Sequence, residues 1–352
     1  MPSVLPKSTL EVRPRTAVEV RPEGVYAARA NDDAGVLAQV ASAALPVGAL
    51  VPSLKVGNVV DRIAVIAALK KVLGTVQQGK GRDVTLIVPD AAVRVLLLDF
   101  DEMPSKADDA LAVIRFRLAK LLPFNPELSQ VSYQAMSRHS MVLQVLVVAI
   151  PNEVLAEYES AVREAGFEPG AVLPSTLAVV AAIDETAQAA ALLVNGSEFG
   201  ATTAILRRGE LLLHRTLDLK SHAMAEAAAV VAQEPANAAI DAELMRSADG
   251  EASEVAVAEM LQASALAHTD DPSRAELELL QAVSVAAAYF EDSLNVAPDT
   301  VLTAGTLSPA AMETMLVDTG LRVADVLAPS DLLTSTTIPY GLLAGLRGAL
   351  KS

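Results

Sequence analysis

The sequence predicts a layered α/β fold in two lobes, and three observations carry that expectation. The chain has 352 residues, more than the roughly 100 to 200 that one compact domain usually holds, so it requires two domains or one domain with a substantial insert. Hydrophobic residues make up 52% of it and aromatics only 3%. Its core must therefore be built from Ala, Val and Leu, which suits helices layered on sheet. Strand-like runs and helical periodicities alternate along most of its length.

Residues 17–30 alternate apolar and polar on either side of Arg21, Pro22, Glu23 and Gly24, the turn residues of a hairpin. Asn58 is placed to cap a helix in which Val59, Ile63, Ile66 and Leu73 follow helical spacing and which Gly74 ends. Four runs then read as strands: DVTLIV from Asp83, VRVLLLDF from Val93, LSQVSYQAM from Leu128 and MVLQVLVVAI from Met141. One helix interrupts them. It starts at Ser105 with Asp108 as capping-box partner, sets Leu111, Ile114, Leu118 and Leu121 on one face, and stops at Pro123. Arg115, Arg117 and Lys120 fall in its later turns, where cations suit the helix dipole.

Residues 152–166 and 174–184 read as two more helices, and 190–194, 201–206 and 210–216 as strands. From His222 to about Asp271 the chain is rich in Ala and Glu and reads as helices with loose connections. Leu277, Leu280, Val283 and Ala287 then recur at helical spacing, which makes 273–293 a firm helix. Residues 301–305 form a short buried strand running into a helix, and 323–327 a last strand. No repeat with a fixed period of about 20 to 50 residues is present.

Charge and composition exclude several classes of function. Lys plus Arg number 27 against 43 Asp plus Glu, a net charge of −16 that repels nucleic-acid phosphates and anionic head groups. The absence of cysteine removes disulfides, thiolate nucleophiles and cysteine metal sites, and is compatible with a reducing cytoplasm. The N-terminus has no apolar core of a secretory signal, and the most apolar run, 141–150, is far short of the roughly 20 residues that span a bilayer. The expectation is a soluble chain that reaches a membrane only through a partner.

Gly74 to Lys80 comes close to a Walker phosphate loop, but Gly81 stands where the metal-binding Ser or Thr belongs, and the stretch follows a helix and precedes a strand. A helix cap with a surface loop is the better reading. His139, His214, His222 and His268 lack metal-ligand spacing, and no serine lies in a GxSxG elbow. VNGSEFGATTAILRRG, from Val194 to Gly209, admits two readings: Asn195-Gly196 as an ordinary hairpin turn, or a Gly and Thr-rich cradle whose backbone amides approach a phosphate.

Order and local sequence together resemble the PilM family of actin-like type IV pilus proteins. FRLAKLLPFNPELSQVSYQ at 116–134 is similar to the helix-to-strand passage of that family's inserted subdomain, and LIVPDAAVRVLLLDFDEMP at 86–104 to the strand pair before it. PSTLAVVAAI at 174–183, the hairpin 190–216 and VLTAGTLSP at 301–309 follow in the family's order. The resemblance implies an actin-like, ribonuclease H-like two-lobed fold with an inserted β-rich subdomain. It divides the chain into a first lobe (1–85 and 151–189), an insert (86–150), a second lobe (190–220 and 273–352) and a helical subdomain (221–272).

The resemblance also implies ATP with Mg between the lobes, held by two Asp-x-Gly hairpins and an adenosine-side Gly-Gly turn. Glu19-Val20-Arg21 stands at the first hairpin. At the second, Asn195 with Ser197 or Glu198 with Gly200 takes the place, depending on register; Ala304-Gly305 replaces Gly-Gly. The implied nucleotide contacts are Glu19, Asn195, Glu198, Gly200, Thr202, Thr203 and Gly305. Asn cannot serve as a carboxylate toward hydrated magnesium. The expected role is thus a cytoplasmic scaffold of the pilus assembly platform, peripheral to the inner membrane, that binds the tail of a PilN-like protein near 86–150 under ATP modulation. Other platform proteins and a second copy are further expected partners. The alternative is an active ATPase of the pilus or of a related type II secretion system.

Overall fold

The computed structural model describes residues 14–139, 142–184, 190–218 and 274–351, and the expected helices of 221–272 lie outside them. Its organising feature is one sheet topology used twice. In the first lobe β1 (Thr16–Arg21), β2 (Gly24–Ala30) and β3 (Leu37–Ala44) form an antiparallel meander; β4 (Asp83–Val88) then joins β1 in parallel, and β8 (Glu168–Pro174) joins β4. The strand order is β3-β2-β1-β4-β8. In the second lobe β9 (Ala190–Ser197), β10 (Gly200–Arg207) and β11 (Glu210–Asp218) repeat the meander, and β12 (Thr300–Gly305) and β13 (Arg322–Asp325) repeat the parallel pair. The order β11-β10-β9-β12-β13 matches the first sheet strand for strand.

Between β4 and β8 the chain leaves the first sheet to build a separate layer. There β5 (Arg94–Phe100), β6 (Ser129–His139) and β7 (Val142–Pro151) form a sheet of order β5-β7-β6. It packs on α2 (Ala107–Leu118) through Phe100, Ile114, Leu118, Val145 and Val147. The expected insert boundary at 86 therefore falls inside β4, which pairs with β1.

On the outer face of the first sheet, α1 (Arg62–Val76) and α3 (Asn152–Glu164) bury Leu69, Val72, Val154 and Tyr158. On the outer face of the second, α5 (Arg274–Leu294) and α6 (Pro309–Met315) cover Leu192 and Val301. A third core lies between the sheets and joins the lobes: Ala17 and Ile87 from one, Leu193 and Ala204 from the other, with α4 (Ser175–Ala182) and α7 (Ala344–Leu350) between them. Leu193, Leu343 and Leu346 are fully buried there, each contributing about 1.5–3 kcal/mol. Although α7 follows the second sheet, it packs against α4 and the first-lobe strands β1, β2 and β4.

Several local expectations change. Asn58 does not cap α1; its side chain accepts from Ser53 N (2.7 Å) and Tyr158 Oη (3.0 Å) and donates to Lys55 O, which shapes the 52–59 loop. Asp61 caps the helix instead, through Ala64 N, and α1 runs through Gly74 to Val76. Ile63 is 84% exposed, because the buried face is that of Val65, Leu69, Val72 and Val76. The insert helix begins at Ala107 without a side-chain cap, so neither Ser105 nor Asp108 closes it, and Leu121 lies beyond its end in solvent. Lys80 sits on an exposed loop that Gln77 ties to the Gly79 and Gly81 carbonyls, as expected of a cap and loop rather than a phosphate site. Among the described residues no helix is long and apolar enough to cross a membrane.

Candidate functional site

The two meanders bring their first hairpins face to face at the cleft between the lobes. In β1–β2, Arg21 pairs with Gly24 across a turn at Pro22 and Glu23; in β9–β10, Ser197 pairs with Gly200 across a turn at Glu198 and Phe199. The closing pairs Arg21–Gly24 and Ser197–Gly200 occupy equivalent places in the two hairpins. Glu19-Val20-Arg21 corresponds to Asn195-Gly196-Ser197, so Asn195 holds the carboxylate's place. Asn195-Gly196 is strand, in register with Thr202 and Ala201, and the ordinary Asn-Gly turn is not formed.

Glu19 and Asn195 are both buried, at 1% and 4% exposure, and converge on the first turn of α4. The Ser175 hydroxyl donates to Glu19 Oε1 at 2.7 Å, while Asn195 Nδ2 donates to Ser175 Oγ at 3.0 Å and Thr176 Oγ1 at 2.9 Å. Asp90, in the 3-10 turn after β4, accepts from Thr176 N and its hydroxyl, an anion at the positive end of a helix. Thr202 donates to the same Asp90 carboxylate at 3.2 Å. A buried polar chain thus crosses from one lobe to the other.

Arg21 fills the middle of it. Its Nη1 donates to Glu19 Oε1 at 2.7 Å and to Ser175 Oγ at 3.2 Å, its Nε to Glu23 Oε1 at 2.6 Å, and its Nη2 to the Gly196 carbonyl of the other lobe. Burial alone would lower the guanidinium, but the Glu19 and Glu23 carboxylates outweigh it and hold Arg21 above its ordinary value. Burial pushes the Glu19 carboxyl up, against the pull of Arg21 and Ser175. The shifts oppose each other for one pair. Arg21 stays charged, because two carboxylates share it.

Gly305 makes this packing possible. It ends β12 opposite Gly196 with φ +72°, and a Cβ there would stand 2.6 Å from Arg21 Nη2 and 2.7 Å from Asn195 Oδ1. Gly345, on α7, does the same beneath Glu19, whose Oε2 would lie 2.8 Å from a Cβ.

Of the residues expected at a nucleotide site, the structure gathers Glu19, Asn195, Thr202 and Gly305 in the cleft, with Gly200 at its rim. It separates two others. Glu198 is on the exposed turn, and Thr203 points to the opposite face of β10 from Thr202, with its hydroxyl 3.5 Å from Arg215 O. Asp90, Ser175 and Thr176 were not anticipated. The Ser-Thr pair opening a helix at Pro174 is the one local signal that could have found them.

No family model matches the sequence, and no curated protein matches it. Among solved structures the chain is similar to a chain of the PilM–PilN type IV pilus biogenesis complex, at 19% identity and a TM-score of 0.65, over 89% of this chain and 88% of that one. The fold is actin-like. Fainter likenesses, too weak to carry an argument, include the ethanolamine utilization protein EutJ of Carboxydothermus hydrogenoformans (11% identity, TM-score 0.45, 96% of this chain and 89% of that one) and a protein with actin-like ATPase fold and unknown function from Bacteroides thetaiotaomicron (9%, 0.43, 88% and 89%).

An actin-like cleft implies ATP and Mg, and the residues between these hairpins do not fit them. The space bounded by Arg21, Pro22, Ser197, Phe199 and Gly200 is about 40 Å³, room for a few waters against the roughly 300–1,000 Å³ of small-molecule sites. Arg21 is the one Lys or Arg among its lining residues, and Glu19 and Glu23 already hold it. Among the described residues that line this space no further cation is left for a triphosphate entering beside Glu19, Glu23 and Asp90. Asn195 supplies an amide where a metal-organising carboxylate would stand.

Proposed function

We propose that the protein is a cytoplasmic scaffold of the type IV pilus assembly platform, attached to the inner membrane by docking the cytoplasmic tail of a PilN-like protein. The observation that carries this reading is the likeness of the fold to a chain of the PilM–PilN complex over 89% of the chain. Contacts with other platform proteins or a second copy belong to the same reading.

A groove of about 730 Å³ beside the insert suits a tail peptide. Its walls are residues 52–55 of the first lobe, Arg94, Val95, Pro123 and Phe124 of the insert, and His214 to Thr216 of β11. β5 and β11 are end strands of their sheets and lie near each other here. An extended peptide laid along such an edge gains main-chain hydrogen bonds, and Leu54 and Phe124 in the groove lining offer it apolar contact. Attachment through a tail also reconciles a net charge of −16 with an anionic membrane surface. No observation favours the ATPase alternative.

Hydrogen exchange with and without a synthetic tail peptide tests the assignment. Protection of 52–55 and 214–216 that Phe124→Asp abolishes is the expected result. Absence of protection anywhere on the protein would count against the function itself.

A further inference from the structure

We infer that Arg21 is the resident ligand of the interlobe cleft: its guanidinium closes the space between the two hairpins, keeps nucleotide out, and holds the lobes in one arrangement. Its hydrogen bonds run in three directions: to Glu23 on its own turn, to Glu19 and Ser175 at the base of the cleft, and to the Gly196 carbonyl of the opposite lobe. The side chain is only 4% exposed. Gly305 lacks the Cβ that would collide with Nη2, so the second lobe is shaped to receive this arginine.

The competing picture is an Arg21 that swings aside to admit a nucleotide. Departure would leave the buried Glu19 carboxyl with the Ser175 hydroxyl but no cation, and the Gly196 carbonyl with Thr306 N alone, and removing one partner of a buried charge pair is strongly unfavourable. An incoming phosphate could not restore the balance, because it brings the same sign of charge as Glu19 and Glu23. The closed arrangement is therefore the stable one without any added ligand.

The lock reaches the docking groove as well, a consequence that rests on the proposed function. Ala91 of the first lobe and Thr216 of the second line both the 40 Å³ space and the 730 Å³ groove. Fixing the lobes fixes the groove's width. The tail site is preformed and needs no nucleotide to assemble.

Calorimetric titration of the wild-type protein with ATP and ADP, each with Mg at millimolar concentration, is the first test. No saturable heat and no change in melting temperature are expected. Saturable binding of either nucleotide would overturn the exclusion. The second test is hydrogen exchange of Arg21→Ala and Arg21→Lys against wild type. Exchange should quicken by at least about tenfold at the ends of β1 and β9 and the start of α4, since each 1.4 kcal/mol lost is a factor of ten. Rates unchanged in both variants would overturn the lock. Neither test uses a tail peptide, so both stand or fall apart from the docking proposal.

Discussion

Asn195 occupies in the second hairpin the place that Glu19 occupies in the first, and both side chains meet on the hydroxyl of Ser175. The pseudo-symmetry of the two sheets is preserved, but its chemistry is split. One hairpin supplies an acceptor, the other a donor. Two carboxylates facing Ser175 would repel each other, whereas an amide donates to it and to Thr176.

Placing an aspartate at this position should for that reason damage the protein. We predict that Asn195→Asp loses both Nδ2 hydrogen bonds and buries a third carboxylate beside those of Glu19 and Asp90, lowering stability by about 2–4 kcal/mol. Urea unfolding would read it. The change should confer no binding of ATP and Mg.

Arg21→Ala should cost about 3–5 kcal/mol, the usual penalty for stranding one partner of a buried pair. Arg21→Met combined with Glu19→Gln should cost less than the sum of the single changes, because the second removes the charge that the first strands. A double-mutant cycle by urea unfolding would show coupling; additive losses would mean that the pair contributes nothing.

Gly305→Ala should lower stability by about 2–4 kcal/mol, combining an unfavourable left-handed backbone at φ +72° with a Cβ aimed at the Gly196 carbonyl and Arg21. Gly320→Ala provides the comparison: it shares φ +73° but has open space around it, so only the backbone part applies. Thermal unfolding of the two variants separates strain from collision.

His214 sets a pH dependence. Its Nε2 is buried without a hydrogen-bond partner, and burial lowers the imidazole from 6.5 despite the attraction of Asp90. A lowered folded value means the fold favours the neutral ring. The stability it contributes is complete above pH 6.5 and is lost as the pH falls through the lower folded value. The Glu19 carboxyl, raised by burial, acts with the opposite sign, contributing stability below its ordinary value of 4.5 that is lost as the pH rises through the folded one. His214→Gln should therefore flatten the loss of stability on acidification below pH 6.5, measured as denaturation midpoints against pH.

The hairpins were legible because alternation and turn chemistry are local: Pro22-Glu23-Gly24 marks one, Arg208-Gly209 another. β3 and β8 were not. LAQVASAA is rich in Ala and Ser, and EPGAVLP carries a Pro-Gly break, so each is a strand because of its partner in the sheet rather than its own propensity. The C-terminal α7, AGLRGAL, holds two glycines in one short helix and exists by packing on α4.

At the site, Glu19, Asn195 and Gly305 could be picked out through the family resemblance, and Arg21 was visible as a departure from it. The register of the second hairpin was not, since it depends on Ser197 pairing with Gly200. Ser175 and Asp90 remained hidden because their partners lie 156 and 86 residues away.

The most direct test of the scaffold reading is calorimetric titration of the N-terminal tail peptide of the PilN-like partner into the wild-type protein, run with and without ATP and Mg. Saturable binding, with the same affinity in both runs, is predicted. Absence of binding in either condition would contradict the account, and binding that appears only with nucleotide would contradict the closed cleft at its centre.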